Sequence, residues 1–185
     1  GIGKRLGAIT KKKPKPLIKI FNREFILYVI DNLIKSNFDT LNLMISYKKD
    51  LFKSLKLPNI KVNLIEDKNR RGTFNCLFQA KTYIKKNFIY SNSDEIIDED
   101  IKKLINIFEK KRLDILQLYF SDKKGASIDK KFIINKKKYD KNKLYTEAGL
   151  KILNKNFFKK KINLFYLYGF YFVFILLRIL KNSVL

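Results

Sequence analysis

The cations near the start of the chain stand where they could grip phosphate. Gly1-Ile2-Gly3-Lys4-Arg5-Leu6 is a glycine-rich turn carrying two cations, and Lys13-Pro14-Lys15-Pro16-Leu17 follows shortly after it. Glycines let a backbone approach phosphate oxygens closely, and N–H groups exposed at a turn or helix start donate to them. Arg5 adds a planar bidentate fork, and Lys15 a point charge held between two prolines that restrict its backbone. Each half alone is commonplace: a G-x-G is more often an ordinary turn, and Lys11-Lys12-Lys13-Pro14-Lys15 reads equally as a nuclear-localisation or nucleic-acid cluster. Further along, Asn92-Ser93-Asp94 follows a short strand candidate; from its residue type alone Asp94 is a solvated loop carboxylate beside Glu95.

Composition narrows the chemistry available to these residues. The 185 residues include no His, which removes imidazole bases, Ser-His-Asp triads and His-based zinc sites. Cys76 is the only cysteine, so no intramolecular disulfide or cysteine-rich zinc site can form, and a reducing compartment, by default the cytoplasm, is expected. Catalysis must rest on Lys, Arg, carboxylates or a metal. Hydrophobic residues at 46% supply a core despite 31% charged residues, which excludes a disordered chain. The formal charge of +24 would suit a polyanion partner. Lys, Ile, Asn, Phe and Tyr are also the residues of A/T-rich codons, so composition drift plus a phosphate site is the alternative, with nucleic acid as runner-up. The chain opens at Gly1 with no apolar signal-peptide core.

The elements that must position these residues follow from apolar periodicity. From Leu17 onward short apolar runs alternate with amphipathic stretches, the pattern of repeated β-α units around a mainly parallel sheet. Glu24 to Ser36 reads as a helix with Phe25, Val29 and Leu33 beside Ile26, Ile30 and Ile34 on one face. Thr40 to Ser46 reads as a strand, Tyr47 to Lys56 as a short helix ended by Pro58, and Ile60, Val62 and Leu64 as a second strand. Asn75 to Tyr83 has helical spacing and Phe88 to Tyr90 suits a short buried strand. Asp98 suits the N-cap of a helix running to about Lys111 that buries Ile101, Leu104, Ile105 and Phe108, and Asp98 and Asp100 both favour its dipole. Ile115 to Phe120 is the next strand, and Ser121 to Lys143 is a Lys-rich loop or weak hairpin.

Taken in order, G-x-G-x-R-L, P-K-P-L, the helix with Tyr28-Val29-Ile30-Asp31-Asn32-Leu33 and the strand after it resemble the start of the sugar-1-phosphate nucleotidylyltransferases. The resemblance continues through Glu66-Asp67 with Gly72-Thr73, similar to an acidic residue and a G-T-G-G-A-type loop. Asn92-Ser93-Asp94 is similar to the family's N-G-D, and Thr146-Glu147-Ala148-Gly149-Leu150 to its N-A-G stretch. It implies an α/β, Rossmann-like, glycosyltransferase-A-like fold lacking its first strand. It also implies transfer of a nucleoside monophosphate from a triphosphate to a sugar 1-phosphate. GTP is favoured, as in mannose- or heptose-1-phosphate guanylyltransferases, with UTP or dTTP open. The implied roles are phosphate contacts by Arg5 and Lys15, nucleotide contacts by Gly1, Gly3, Gly72 and Thr73, a sugar pocket at Glu147, Ala148 and Gly149, and magnesium on Asp94. Such transfer needs no protein nucleophile, only alignment and charge neutralisation.

The departures are specific. Phe74-Asn75-Cys76 replaces small residues after Gly72-Thr73, Ser93 replaces the glycine of N-G-D, and no E-K-P stretch is evident in Ser121 to Lys143. Relatives close with F-x-D-I-G-T-P, whose aspartate is a second metal ligand; here Phe165 to Leu177 is an unbroken apolar run. Residues 1–158 are therefore expected to form the nucleotidylyltransferase domain and 159–185 an atypical apolar tail. That tail reads as an aberrant end, a core strand or helix, or a membrane anchor somewhat short of the roughly 20 residues that span a bilayer. The competing functional reading is a catalytically inactive remnant or basic nucleic-acid-binding protein that keeps the fold.

Overall fold

The computed structural model of the chain describes residues 6–36, 38–68, 73–128, 134–135, 145–159 and 174–179. Gly7, at a positive φ of 54°, opens the short helix α1 (Ala8–Lys12), a backbone angle that glycine adopts without the Cβ penalty. Lys13, held extended before Pro14, ends that helix, and Lys15–Leu17 then form one 3-10 turn with Pro16 inside it. Two short strands follow, β1 (Lys19–Ile20) and β2 (Arg23–Glu24), paired antiparallel across Phe21 and Asn22, both at positive φ.

The helix expected from Glu24 to Ser36 is α2 (Phe25–Ile34), which buries Ile26, Leu27, Val29, Ile30 and Leu33. Next come β3 (Phe38–Ile45), a 3-10 turn at Lys49–Phe52 in place of the expected helix, and β4 (Lys61–Glu66). The helical spacing after Thr73 gives α3 (Thr73–Gln79), which tightens into a 3-10 turn at Ala80–Tyr83. β5 (Phe88–Asn92) leads to α4 (Ile101–Lys110). The N-cap of α4 is Asp100 rather than Asp98: its carboxylate accepts the Lys103 N–H at 3.1 Å, which satisfies one of the helix's free donors. Replacing that cap, Asp100→Ala, is expected to lower stability by about 1 kcal/mol, read from urea midpoints at unchanged slope.

β6 (Ile115–Ile128) runs well past the expected Phe120 and pairs with β7 (Ile134–Asn135), so part of the Lys-rich segment is a hairpin. With β8 (Tyr145–Leu153) and β9 (Phe174–Ile179) these strands make a seven-stranded sheet ordered β4-β3-β9-β5-β8-β6-β7. β3 and β4 pair in parallel, while β9 lies antiparallel to both β3 and β5, and β8 antiparallel to both β5 and β6. It follows that β3, β4, β5 and β6 all run one way, with reversed strands between them. The α/β class stands, and among the described residues the direct parallel pairing is that of β3 with β4.

Both faces of the sheet are covered, and β3 is buried almost throughout, its polar Thr40 and Asn42 included. Leu41, Leu43 and Ile45 face a core shared with α2, α4, Phe52, Leu150 and Ile152. Met44 faces a second core with Cys76, Leu77, Phe88, Leu153 and Phe157. The backbone of Phe174–Ile179 sits in the middle of the sheet, the arrangement a core strand requires; residues 160–173 of the apolar tail lie outside the described residues. Among the described residues no helix is long and apolar enough to cross a membrane.

Candidate active site

The shared direction of β3, β4, β5 and β6 brings their carboxyl ends to one edge of the sheet, and β8, running the other way, begins at that edge. Open α/β sheets bind their ligands outside such an edge. Tyr47 and Lys48 leave β3 there. The Tyr47 hydroxyl lies 3.2 Å from the carbonyls of both Thr10 and Lys11, and the Lys48 ammonium donates to the Lys11 and Lys12 carbonyls at 2.6 and 3.0 Å. A cation at the C-terminal end of α1 meets carbonyls the short helix leaves free. The edge of the sheet thereby holds the segment that leads to Lys15.

Lys15 begins the 3-10 turn, with Pro14, Pro16 and Leu17 buried around it. This anchored backbone aims the ammonium across the edge to the Asp94 carboxylate, 2.5 Å away and 79 residues distant in sequence. The Asp94 side chain is 8% exposed and that of Lys15 42%, so the anion is set in and the cation is partly exposed. Asp94 belongs to the turn that continues β5. Ser93 beside it is fully buried, and its Oγ has no hydrogen-bond partner among the described residues.

The next residue, Glu95, accepts the Gly149 N–H at 2.9 Å. A Cβ on residue 149 would overlap the Glu95 carboxylate and the Asn92 amide and would lie 2.7 Å from Asn92 Cγ. Only glycine fits without displacing both side chains. Gly149→Ala is accordingly expected to cost about 1–3 kcal/mol, the usual penalty of overpacking, measured by denaturant unfolding.

Asp67, just past β4, is held differently. Its backbone N–H continues the ladder to the Ile45 carbonyl at 2.7 Å, while its carboxylate accepts from Cys76 Sγ at 3.0 Å and Gln79 Nε2 at 3.1 Å. Burial, reinforced by that hydrogen bond to Asp67, pushes the Cys76 thiol well above its ordinary range, so it is a thiol and not a nucleophile. Glu66 pairs with Lys49 at 2.7 Å.

The residues singled out from sequence thus divide. Lys15, Asp94 and Gly149 lie along the edge of the sheet around the turn after β5. Ala148 is buried in the larger core, so only its backbone can face a ligand. Glu147 contributes its backbone to β8 and Thr73 opens α3. Gly1, Gly3, Arg5 and Gly72 lie outside the described residues. Sequence reasoning did not single out Tyr47, Lys48 and Glu95, which act on backbone groups; the one signal was their position directly after strands.

A hard divalent cation fits the turn. Asp94 offers oxygen donors, the orphaned Ser93 Oγ is its immediate neighbour in the chain, and among the described residues no group of three or more His, Cys, Asp or Glu encloses a metal. One carboxylate, completed by phosphate oxygens and water, is how magnesium is usually bound.

The chain is similar to several known proteins. The bifunctional protein GlmU of Methanococcus vannielii is 30% identical over 106 residues, covering 57% of this chain and 25% of that protein, so the chain spans about a quarter of its length. The D-glycero-alpha-D-manno-heptose 1-phosphate guanylyltransferase of Campylobacter jejuni is 26% identical over 164 residues, covering 85% of this chain and 74% of that protein. Among solved structures, HddC from Yersinia pseudotuberculosis superposes with a TM-score of 0.63 at 26% identity, over 77% of this chain and 68% of that one. Residues 1–128 match the family described as nucleotidyl transferase, and the chain belongs to that family.

Proposed function

We propose that the chain transfers a nucleoside monophosphate from a triphosphate, with GTP favoured and UTP or dTTP as alternatives, to a sugar 1-phosphate, releasing pyrophosphate. The observation that carries this reading is the meeting of Lys15 and Asp94 at the carboxyl end of β5, beside the start of β8. A sugar-phosphate oxygen forms a bond to the α-phosphorus while the bond from that phosphorus to the bridging oxygen of pyrophosphate breaks. No protein nucleophile is required, and none of the groups at this edge is placed as one.

In this reading Lys15 neutralises an oxygen of the sugar phosphate or of the α-phosphate, and Asp94 would hold magnesium. Bound there, the ion supplies charge neutralisation to the phosphates. Arg5 takes the leaving pyrophosphate, Gly1, Gly3, Gly72 and Thr73 the nucleotide, and Glu147, Ala148 and Gly149 the sugar. The preference for GTP is supported by the guanylyltransferase name of the Campylobacter relative and by the solved complex of HddC with GMP-PN. A cytoplasmic setting suits the free Cys76 thiol.

The test is pyrophosphate release from GTP, UTP and dTTP, each with a panel of sugar 1-phosphates that includes mannose and manno-heptose 1-phosphate. Release that requires both a triphosphate and a sugar phosphate supports transfer. A chain that binds nucleic acid yet releases no pyrophosphate with any pair would replace this reading by the inactive-remnant one.

A further inference from the structure

The ladder between β5 and β8 ends at Ser91 opposite Leu150. The next N–H of β8, that of Gly149, turns to a side chain, the carboxylate of Glu95. Glu95 sits in the same turn as Asp94, and the close seating of Asn92 and Glu95 on the Gly149 Cα leaves no room for a Cβ. A second carboxylate next to Asp94 is electrostatically unwelcome where phosphates must bind, because like charges raise each other's cost. Committing that charge to a backbone N–H offsets the cost, since a charge-assisted hydrogen bond is roughly twice as strong as a neutral one. The same bond ties the start of β8 to the turn that carries Asp94.

We infer that Glu95 is a positioning residue: through Gly149 it fixes the segment Glu147–Gly149 against the Asp94 turn, and so sets where the sugar 1-phosphate sits relative to that carboxylate. The substrate part of this inference rests on the nucleotidyl-transfer reading; the clamp itself does not. Glu95 acts on the sugar side of the site, so its loss should separate the two substrates. A residue that only stabilises the fold would weaken both alike.

The experiment compares Glu95→Ala, Glu95→Gln and Glu95→Asp with the unmodified 185-residue chain. It reads amide exchange at Gly149 without ligand, and the affinities of GTP and mannose 1-phosphate by calorimetry. In Glu95→Ala, Gly149 exchange should quicken by about tenfold or more and mannose 1-phosphate affinity should fall about tenfold, with GTP affinity changing less than about threefold. Glu95→Gln keeps an acceptor oxygen at the same reach and should restore most of both. Glu95→Asp keeps the charge but shortens the reach and should resemble Glu95→Ala, which keeps the test decisive if the alanine variant unfolds. Unchanged Gly149 exchange, equal losses for both ligands, or a glutamine variant as impaired as the aspartate one would overturn the inference. If the unmodified chain binds neither ligand, the nucleotidyl-transfer reading and the substrate role of Glu95 fall together, while the exchange rate still decides whether the clamp exists.

Discussion

Asp94→Asn is expected to lower metal-dependent nucleotidyl transfer by about a thousandfold, the scale on which removing one electrostatic stabiliser of a developing charge acts. The substitution keeps the size and shape of the side chain and removes one negative charge. Asp94 lies in a turn beyond β5, outside both apolar cores, so its replacement leaves the packing of Phe88, Ile89 and Leu150 untouched. The unfolding midpoint should therefore move little, because large destabilisation comes from cavities, strain or stranded buried groups. Two readouts keep chemistry and fold apart. Turnover is measured across a magnesium titration, and manganese binding to the unmodified chain and the variant is followed by electron spin resonance. Turnover that persists in a variant that has lost manganese binding would reassign Asp94 to structure.

Lys15→Met should follow with a loss of about a hundredfold. Methionine preserves an unbranched stem of similar length, so the anchored turn should survive while the ammonium is gone. The Lys15 side chain is 42% exposed, and the ion pair with Asp94 contributes at most about 1 kcal/mol to stability after solvent screening. The effect should therefore appear in kcat and in phosphate affinity rather than in unfolding. Lys15→Arg would keep the charge but replace a compact cation with a planar fork, and should recover only part of the activity. A methionine variant with full turnover would show that the ammonium near Asp94 neutralises nothing in the transition state.

Local pattern made much of the scaffold legible. The apolar faces of α2 and α4 follow directly from 3.6-residue spacing, and the residues expected on them are those found buried or packed against the core. What local pattern could not convey was pairing. That β9 separates β3 from β5 is decided by partners far apart in the chain, Asn92 with Phe174 and Phe38 with Ile179 among them, and nothing within Phe174–Ile179 states which strands it will join. The turn between β1 and β2 was invisible for another reason: Phe21 adopts a positive φ of 48°, where statistics expect glycine or asparagine. Lys49–Phe52 tightened from the expected helix into a 3-10 turn after Lys48, whose own φ is positive. The site divides the same way. Lys15 and Asp94 stood out in the sequence because their chemistry resides in side chains at family spacing. Tyr47, Lys48 and Glu95 escaped because they serve backbone carbonyls and an N–H that no residue type announces.

Nucleotidyl transfer shows itself most plainly in the phosphorus that changes partners. GTP labelled on the α-phosphate, incubated with magnesium and mannose or manno-heptose 1-phosphate, should pass its label to a product that resists phosphatase, while label on the γ-phosphate should leave as pyrophosphate. Asp94→Asn should show neither. Label that appears only as free nucleotide, equally with and without the sugar phosphate, or that never leaves GTP in the unmodified chain, would contradict the account.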